Sequence, residues 1–247
     1  MIVRRRTIEV RGETASWREA GVGVPAIVTA GLGLSSRFYE YSYAAFADAG
    51  IRLIVPDLPG WGETPGPLTG LSPLDTTAFL LAFADAIGVR RAVWIGHSLG
   101  AQVVAELAVQ QPERALGIVM VGPTGAPGRF RLVRQAAGLA IESGRTSARF
   151  IAAVAREYIR TPPSRYIGTW LRHSRHQLEP LLPHVTCPAL IITGDNDPIT
   201  SRASIERMLH RLPHGEVAWV AGGTHALPRG DAAEFNGVVA EFVKRIS

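Results

Sequence analysis

Ser98 stands in Gly96-His97-Ser98-Leu99-Gly100, directly after the apolar run Arg91-Ala92-Val93-Trp94-Ile95 and before a helical pattern over residues 101–110. A serine on a Gly-x-Ser-x-Gly turn between strand and helix is a nucleophile elbow. The turn leaves no room for side chains two residues before and after the serine, a need that Gly96 and Gly100 meet. It turns the hydroxyl outward and sets it at a helix N-terminus, where free N–H groups favour developing negative charge.

A serine hydroxyl attacks only with a base beside it, and the base needs an acid to orient it. Two loops supply these groups. Gly194-Asp195-Asn196-Asp197-Pro198 follows the apolar stretch 189–193, and Ala221-Gly222-Gly223-Thr224-His225 follows the stretch 216–220. Loops after parallel strands open on one side of a sheet, so Ser98, an aspartate and His225 can converge. The other histidines fit less well. His210 and His214 precede the last strand and fall at the opposite end, while His97 is locked beside Ser98 and serves the elbow. His173 and His176 lie in an inserted segment as pocket-wall or surface groups. At this point either Asp195 or Asp197 is the acid.

The elements that must position these groups follow from periodicity. Residues 7–11 alternate polar and apolar as a half-buried strand, and a turn at Gly12 leads to a second strand over 15–20. Short apolar runs then recur at 25–30, 51–56, 91–95, 116–121, 189–193 and 216–220. Runs apolar on both faces belong to a parallel sheet covered by helices. Ser72-Pro73-Leu74-Asp75 and Asp231-Ala232-Ala233-Glu234 read as capping boxes opening two of those helices. The fold class is therefore α/β: a mostly parallel eight-stranded sheet with an antiparallel beginning and helices on both faces.

More than sixty residues separate the strand ending near Val121 from the one starting at Ala189, too many for an ordinary connection. Helical patterns occur in it at 130–143, 146–159 and 164–176. Residues 124–184 are read as a helical cap over the carboxyl ends of the strands, and 1–123 with 185–247 as the core domain. The cap carries Arg129, Arg131, Arg134, Arg145, Arg149, Arg156, Arg160, Arg165, Arg172 and Arg175. Facing water or pairing locally is the simpler role for these arginines; one or two in the pocket would favour an acidic substrate group. Its Phe130, Leu132, Leu139, Phe150, Ile151, Tyr158, Tyr166 and Trp170 suit helix packing and an apolar acyl pocket.

Composition bounds the rest. The 247 residues, 47% hydrophobic and 19% charged, suit one globular domain with an insertion. No apolar run spans a bilayer. The basic start Met1 to Arg6 lacks a following apolar stretch, so a cytoplasmic protein is expected. Cys187 is the single cysteine, which excludes an internal disulfide. The net charge is +5, and Lys244 is the only lysine among 26 basic residues. The arginines are scattered without a basic stripe, so no nucleic-acid partner is expected. No metal or organic cofactor is suggested, and the oligomeric state is not legible.

With the elbow, the aspartate loop and the histidine loop in that order, the chain resembles the α/β-hydrolase family over nearly its whole length. The resemblance implies Asp197 as the acid, three residues after the glycine ending its strand, with Asp195 as a loop-capping carboxylate. It implies an oxyanion hole from the backbone N–H groups of Leu99 and Leu32, the latter in the loop Thr29-Ala30-Gly31-Leu32-Gly33-Leu34-Ser35-Ser36. Asp57-Leu58-Pro59-Gly60-Trp61-Gly62 matches the family loop after the fourth strand, where Trp61 lines the pocket or serves structure. One position departs: the family has His-Gly where this chain has Ala30-Gly31, so the imidazole that braces this loop is missing.

The expected function is hydrolysis of carboxylic esters with small to medium acyl groups through an acyl-enzyme. The substrate is then a small ester-like molecule. A serine nucleophile excludes the haloalkane dehalogenase and epoxide hydrolase branches, which need a carboxylate there. The same triad on another bond, as in a meta-cleavage C–C hydrolase, lactonase, perhydrolase or acyltransferase, is the second reading. A hydrolase-like receptor using the cap as a ligand lid is the third.

Overall fold

The computed structural model describes residues 2–125, 137–138 and 161–247. The chain opens on a hairpin, β1 (Arg4–Val10) and β2 (Glu13–Ala20), joined at Arg11 and Gly12, both with positive φ. That pair of conformations matches the twist of two-residue hairpins. β1 begins three residues before the expected 7–11. Its outer edge is solvent-exposed, so Arg4 to Arg6 need no apolar pattern; they pair with Trp17 to Glu19, and Arg6 meets Glu19 at 2.7 Å.

β3 (Val24–Thr29), α1 (Tyr43–Asp48), β4 (Ile51–Pro56), α2 (Pro73–Ala86), β5 (Ala92–His97), α3 (Gly100–Gln110) and β6 (Ala115–Val121) follow. After α4 (Pro163–Arg175) come β7 (Ala189–Gly194), α5 (Arg202–Arg211), β8 (Gly215–Val220), the single turn α6 (Leu227–Gly230) and α7 (Ala232–Ile246). The eight strands lie in the order β1-β2-β4-β3-β5-β6-β7-β8. β2 runs antiparallel to β4, and every pairing from β4 to β8 is parallel.

Successive strand residues point to opposite faces, and both faces are covered. Trp94, Ile118 and Ile191 pack under α2, α3 and α5 with Phe83, Val104 and Met208. Val93, Ile95, Val119 and Ile192 pack on the other side with Phe46 of α1 and Phe235 and Phe242 of α7. This double burial is why the central strands read as unbroken apolar runs. The strand order reverses between β3 and β5, and ligands of open α/β sheets bind outside the carboxyl ends of the strands at such a switch point.

The Ser72 box forms as expected: its side chain accepts from the Asp75 N–H while the Asp75 carboxylate accepts from the Ser72 N–H. The second expected box does not form. Asp231 makes no side-chain capping bond, because its own N–H is held by Leu227 O as it closes α6. A residue ending one helix in a non-extended conformation (φ −123°, ψ 41°) cannot aim its carboxylate into the next. Of the expected cap, α4 and the chain leading to β7 are described. The patterns at 130–143 and 146–159, apart from residues 137–138, lie outside the described residues.

Candidate active site

β5 delivers Ser98 to the switch point. Its φ is 56°, the left-handed region that a side chain seldom occupies, so the backbone is strained at this residue. The neighbours permit it. A Cβ on Gly96 would lie 2.3 Å from Gly100 O, and one on Gly100 would lie 2.4 Å from Thr29 O. Gly31 comes close from the β3 loop, since its Cβ would stand 3.3 Å from Ser98 Cβ. The Ser98 N–H donates to Val121 O at 2.8 Å, tying the elbow to the end of β6.

β7 and β8 deliver the other two groups. His225 Nδ1 lies 2.8 Å from Asp197 Oδ2, and the Asp197 side chain is fully buried. The second Asp197 oxygen accepts the N–H groups of Ile199 at 2.7 Å and Thr200 at 3.0 Å. Burial by itself would raise the Asp197 carboxyl. The His225 charge and these hydrogen bonds outweigh it and hold the group below the usual carboxylate range. Asp195 does something else: its carboxylate accepts the Gly222 N–H at 2.7 Å and so shapes the loop that carries His225. Gly122, just after β6, packs against the pair; a Cβ there would meet His225 Nδ1 at 2.9 Å. His225 Nε2 is buried with no hydrogen-bond partner among the described residues.

His97 has a part that its sequence position did not suggest. Its Nε2 donates to the His225 carbonyl at 3.0 Å, and the two rings lie 5.2 Å apart. The residue next to Ser98 therefore holds the histidine loop from 128 positions away. A carbonyl only accepts, so Nε2 carries the proton. Burial, with the adjacent His225, pushes the His97 pKa down to about 3, leaving the ring neutral.

Leu32 and Leu99 come together as walls of one cavity, with about 20 Å³ of space for solvent-sized groups. Ala30 does leave the loop without a local imidazole, and bracing arrives from elsewhere. Ser36 N–H donates to Asp57 Oδ1 at 2.7 Å, and Tyr43 OH donates to Ser36 O at 2.9 Å. Asp57 also accepts from Glu63 N–H at 3.0 Å, joining the loops after β3 and β4. The signal for this was present in Asp57 at the end of an apolar strand, which needs a stated reason to be buried.

Trp61 is both structural and pocket-lining: it is buried, it lines the same cavity, and its ring lies 4.8 Å from Tyr166 of α4. Arg165 of α4 donates to the carbonyls of Gly60 at 2.6 Å, Gly66 at 2.9 Å and Pro67 at 2.9 Å. Arg172 and Arg175 are exposed, so the arginines described in this segment serve local pairing and the surface. The arginines at 129–160 lie outside the described residues.

The family model for the alpha/beta hydrolase family matches residues 26–238, and the chain belongs to that family. Among relatives, a 2-hydroxy-6-oxononadienedioate/2-hydroxy-6-oxononatrienedioate hydrolase of Paraburkholderia phymatum is 34% identical over 121 residues, 46% of this chain and 42% of that protein. The chain thus matches under half the length of that relative. Two solved structures share the fold. An esterase from Thermogutta terrifontis has a TM-score of 0.84 at 18% identity, covering 98% of this chain and 99% of its own. An enol-lactonase from Burkholderia xenovorans has a TM-score of 0.84 at 18% identity, covering 97% and 100%. No helix among the described residues is long and apolar enough to cross a membrane.

Proposed function

We propose that this hydrolase-family chain cleaves carboxylic esters of small to medium acyl groups, with Ser98 as nucleophile, His225 as base and Asp197 as orienting acid. The observation that carries the reading is the buried 2.8 Å bond from Asp197 to His225, at the same sheet end as an elbow holding Ser98 at φ 56°. Binding alone has no use for this arrangement.

His225 Nε2 takes the Ser98 proton as Oγ attacks the acyl carbon. Asp197, kept ionised, holds the ring and stabilises its cationic form. The oxyanion develops against the backbone N–H groups of Leu32 and Leu99, whose fixed positions need no reorganisation as charge appears. His225 then gives its proton to the departing alkoxide. Water, activated by the same imidazole, releases the acid and restores Ser98. The insertion 124–184 acts as a cap over this site.

A second reading keeps the triad and changes the bond. It is favoured by the relative named for a 2-hydroxy-6-oxo dienedioate substrate. Hydrolysis of 4-nitrophenyl esters of increasing acyl length tests the first reading. Turnover should fall about a millionfold in Ser98→Ala, and the optimum length sizes the pocket. Turnover unchanged in Ser98→Ala would remove the mechanism. No ester turnover in the wild-type protein would move the assignment to the second reading.

A further inference from the structure

His97 touches the loops of both the base and the oxyanion donor with one buried side chain. Its Nε2 donates to the His225 carbonyl at 3.0 Å, on the loop after β8. Its Nδ1 edge faces the loop after β3, where a Cβ on Gly31 would stand 3.5 Å from it. Phe38, in the turn Ser36–Tyr39 that closes the same loop, stacks on the ring with centroids 5.6 Å apart and planes 17° apart. The backbone of His97 leads directly into Ser98.

The reaction needs those two loops set against each other. His225 and the Leu32 N–H must act on one substrate at the same moment, and a displacement of about 1 Å can cost about a hundredfold in rate. Three strands separate β3 from β8 in the sheet, so strand pairing does not set one loop against the other. Asp57 and Tyr43 anchor the β3 loop beyond Leu32, at Ser36. Before Leu32, at Gly31, the loop packs on the His97 ring and Ser98. The ring also suits the task in its charge. Nδ1 is buried with no hydrogen-bond partner among the described residues, so a second proton there would point at Gly31 and find no acceptor. The ring is neutral, and from 5.2 Å away it does not oppose the positive charge that His225 takes up with the Ser98 proton.

We infer that His97 is a positioning residue for the reaction: its side chain sets the His225 loop and the Gly31-Leu32 loop against each other, so that base and oxyanion donor meet one substrate together. This rests on the reading of Ser98 as nucleophile and His225 as its base. His97 itself touches no reacting atom. It acts through one donated bond and two packed faces, and the bond is the part that a substitution removes most cleanly.

His97→Gln and His97→Asn test this, because they carry the same amide with different reach. The glutamine nitrogen falls near the place of Nε2 and can donate to the His225 carbonyl; the asparagine nitrogen falls near that of Nδ1 and cannot. On a 4-nitrophenyl ester, kcat should fall by about ten- to a hundredfold in His97→Asn with KM near its wild-type value. His97→Gln should restore most of the loss. Phe242→Leu, a core change on α7 against Gly117 at the start of β6, should lower the urea midpoint and leave kcat alone, which separates positioning from stability. An unchanged kcat in His97→Asn, an equal loss in both amide variants, or a change confined to KM overturns the inference and leaves ester hydrolysis intact. If His97→Asn does not fold, His97→Met, as long as glutamine but without a donor, takes its place. No ester turnover in the wild-type protein would instead count against ester hydrolysis. The readout is then the low-field proton NMR signal of the His225 Nδ1–H that Asp197 holds. That proton should exchange with water faster in His97→Asn than in the wild type or His97→Gln, and equal exchange in all three overturns the inference.

Discussion

At the scale of single residues, the account turns on groups held where their chemistry needs them. Asp197 has both oxygens engaged, one by His225 and one by two backbone N–H groups. Asp197→Asn keeps the shape of this site but presents an amide to Nδ1, favouring the wrong imidazole tautomer. The expected result is a loss of about 10⁴ in kcat with an unchanged circular dichroism spectrum; steady-state kinetics on the preferred ester would check it. Ser98 and His225 stand out as candidates from spacing alone, because an elbow is local and a glycine loop after a strand is local. His97 does not. Its bond to the His225 carbonyl spans 128 positions, and no pattern near His97 announces a partner so distant. The choice between Asp195 and Asp197 needed the family resemblance, since both follow the same strand; their separate partners, Gly222 and His225, become visible only in three dimensions.

At the scale of elements, central strands and most helices could be read because burial on both sheet faces imposes an apolar run whatever the neighbours are. Boundaries set by pairing or by an adjoining turn were less legible. β1 extends into Arg4 because β2 is there to pair with it, and Asp231 loses its capping role because α6 ends on it. The contact between α4 and the loop after β4 belongs to this class too. Arg165 gives three donors to three carbonyls from one rigid guanidinium, a fit that lysine cannot copy. Arg165→Leu should destabilise the protein by about 1–3 kcal/mol and open residues 60–67 to protease. Arg165→Lys should recover only part of this. Urea midpoints and limited proteolysis decide it; a midpoint unchanged in Arg165→Leu would show that the three bonds contribute nothing net.

For the whole molecule, buried imidazoles make stability depend on pH. His97 and His173 have folded pKa values near 3 against 6.5 for the free side chain. Between those values the unfolded chain binds protons that the folded chain refuses. Their contribution is therefore complete above pH 6.5 and declines as pH falls toward 3, by about 1.4 kcal/mol per pH unit for each ring. Asp197, whose pKa is lowered, contributes in the same direction only once pH drops below its unfolded value of 3.8. Denaturation midpoints from pH 7 to 4.5 should slope downward with acid, and His173→Phe should remove about half of the slope due to this pair. A flat profile would mean that the two rings protonate freely in the folded protein.

The central claim is that Ser98 is a nucleophile made reactive by His225. Labelling with a fluorophosphonate, followed by peptide mass spectrometry, tests it whatever the natural substrate is. The account predicts one adduct per chain, on the peptide containing Ser98, lost in His225→Ala. Labelling on another residue, or on Ser98 at an equal rate without His225, would contradict it.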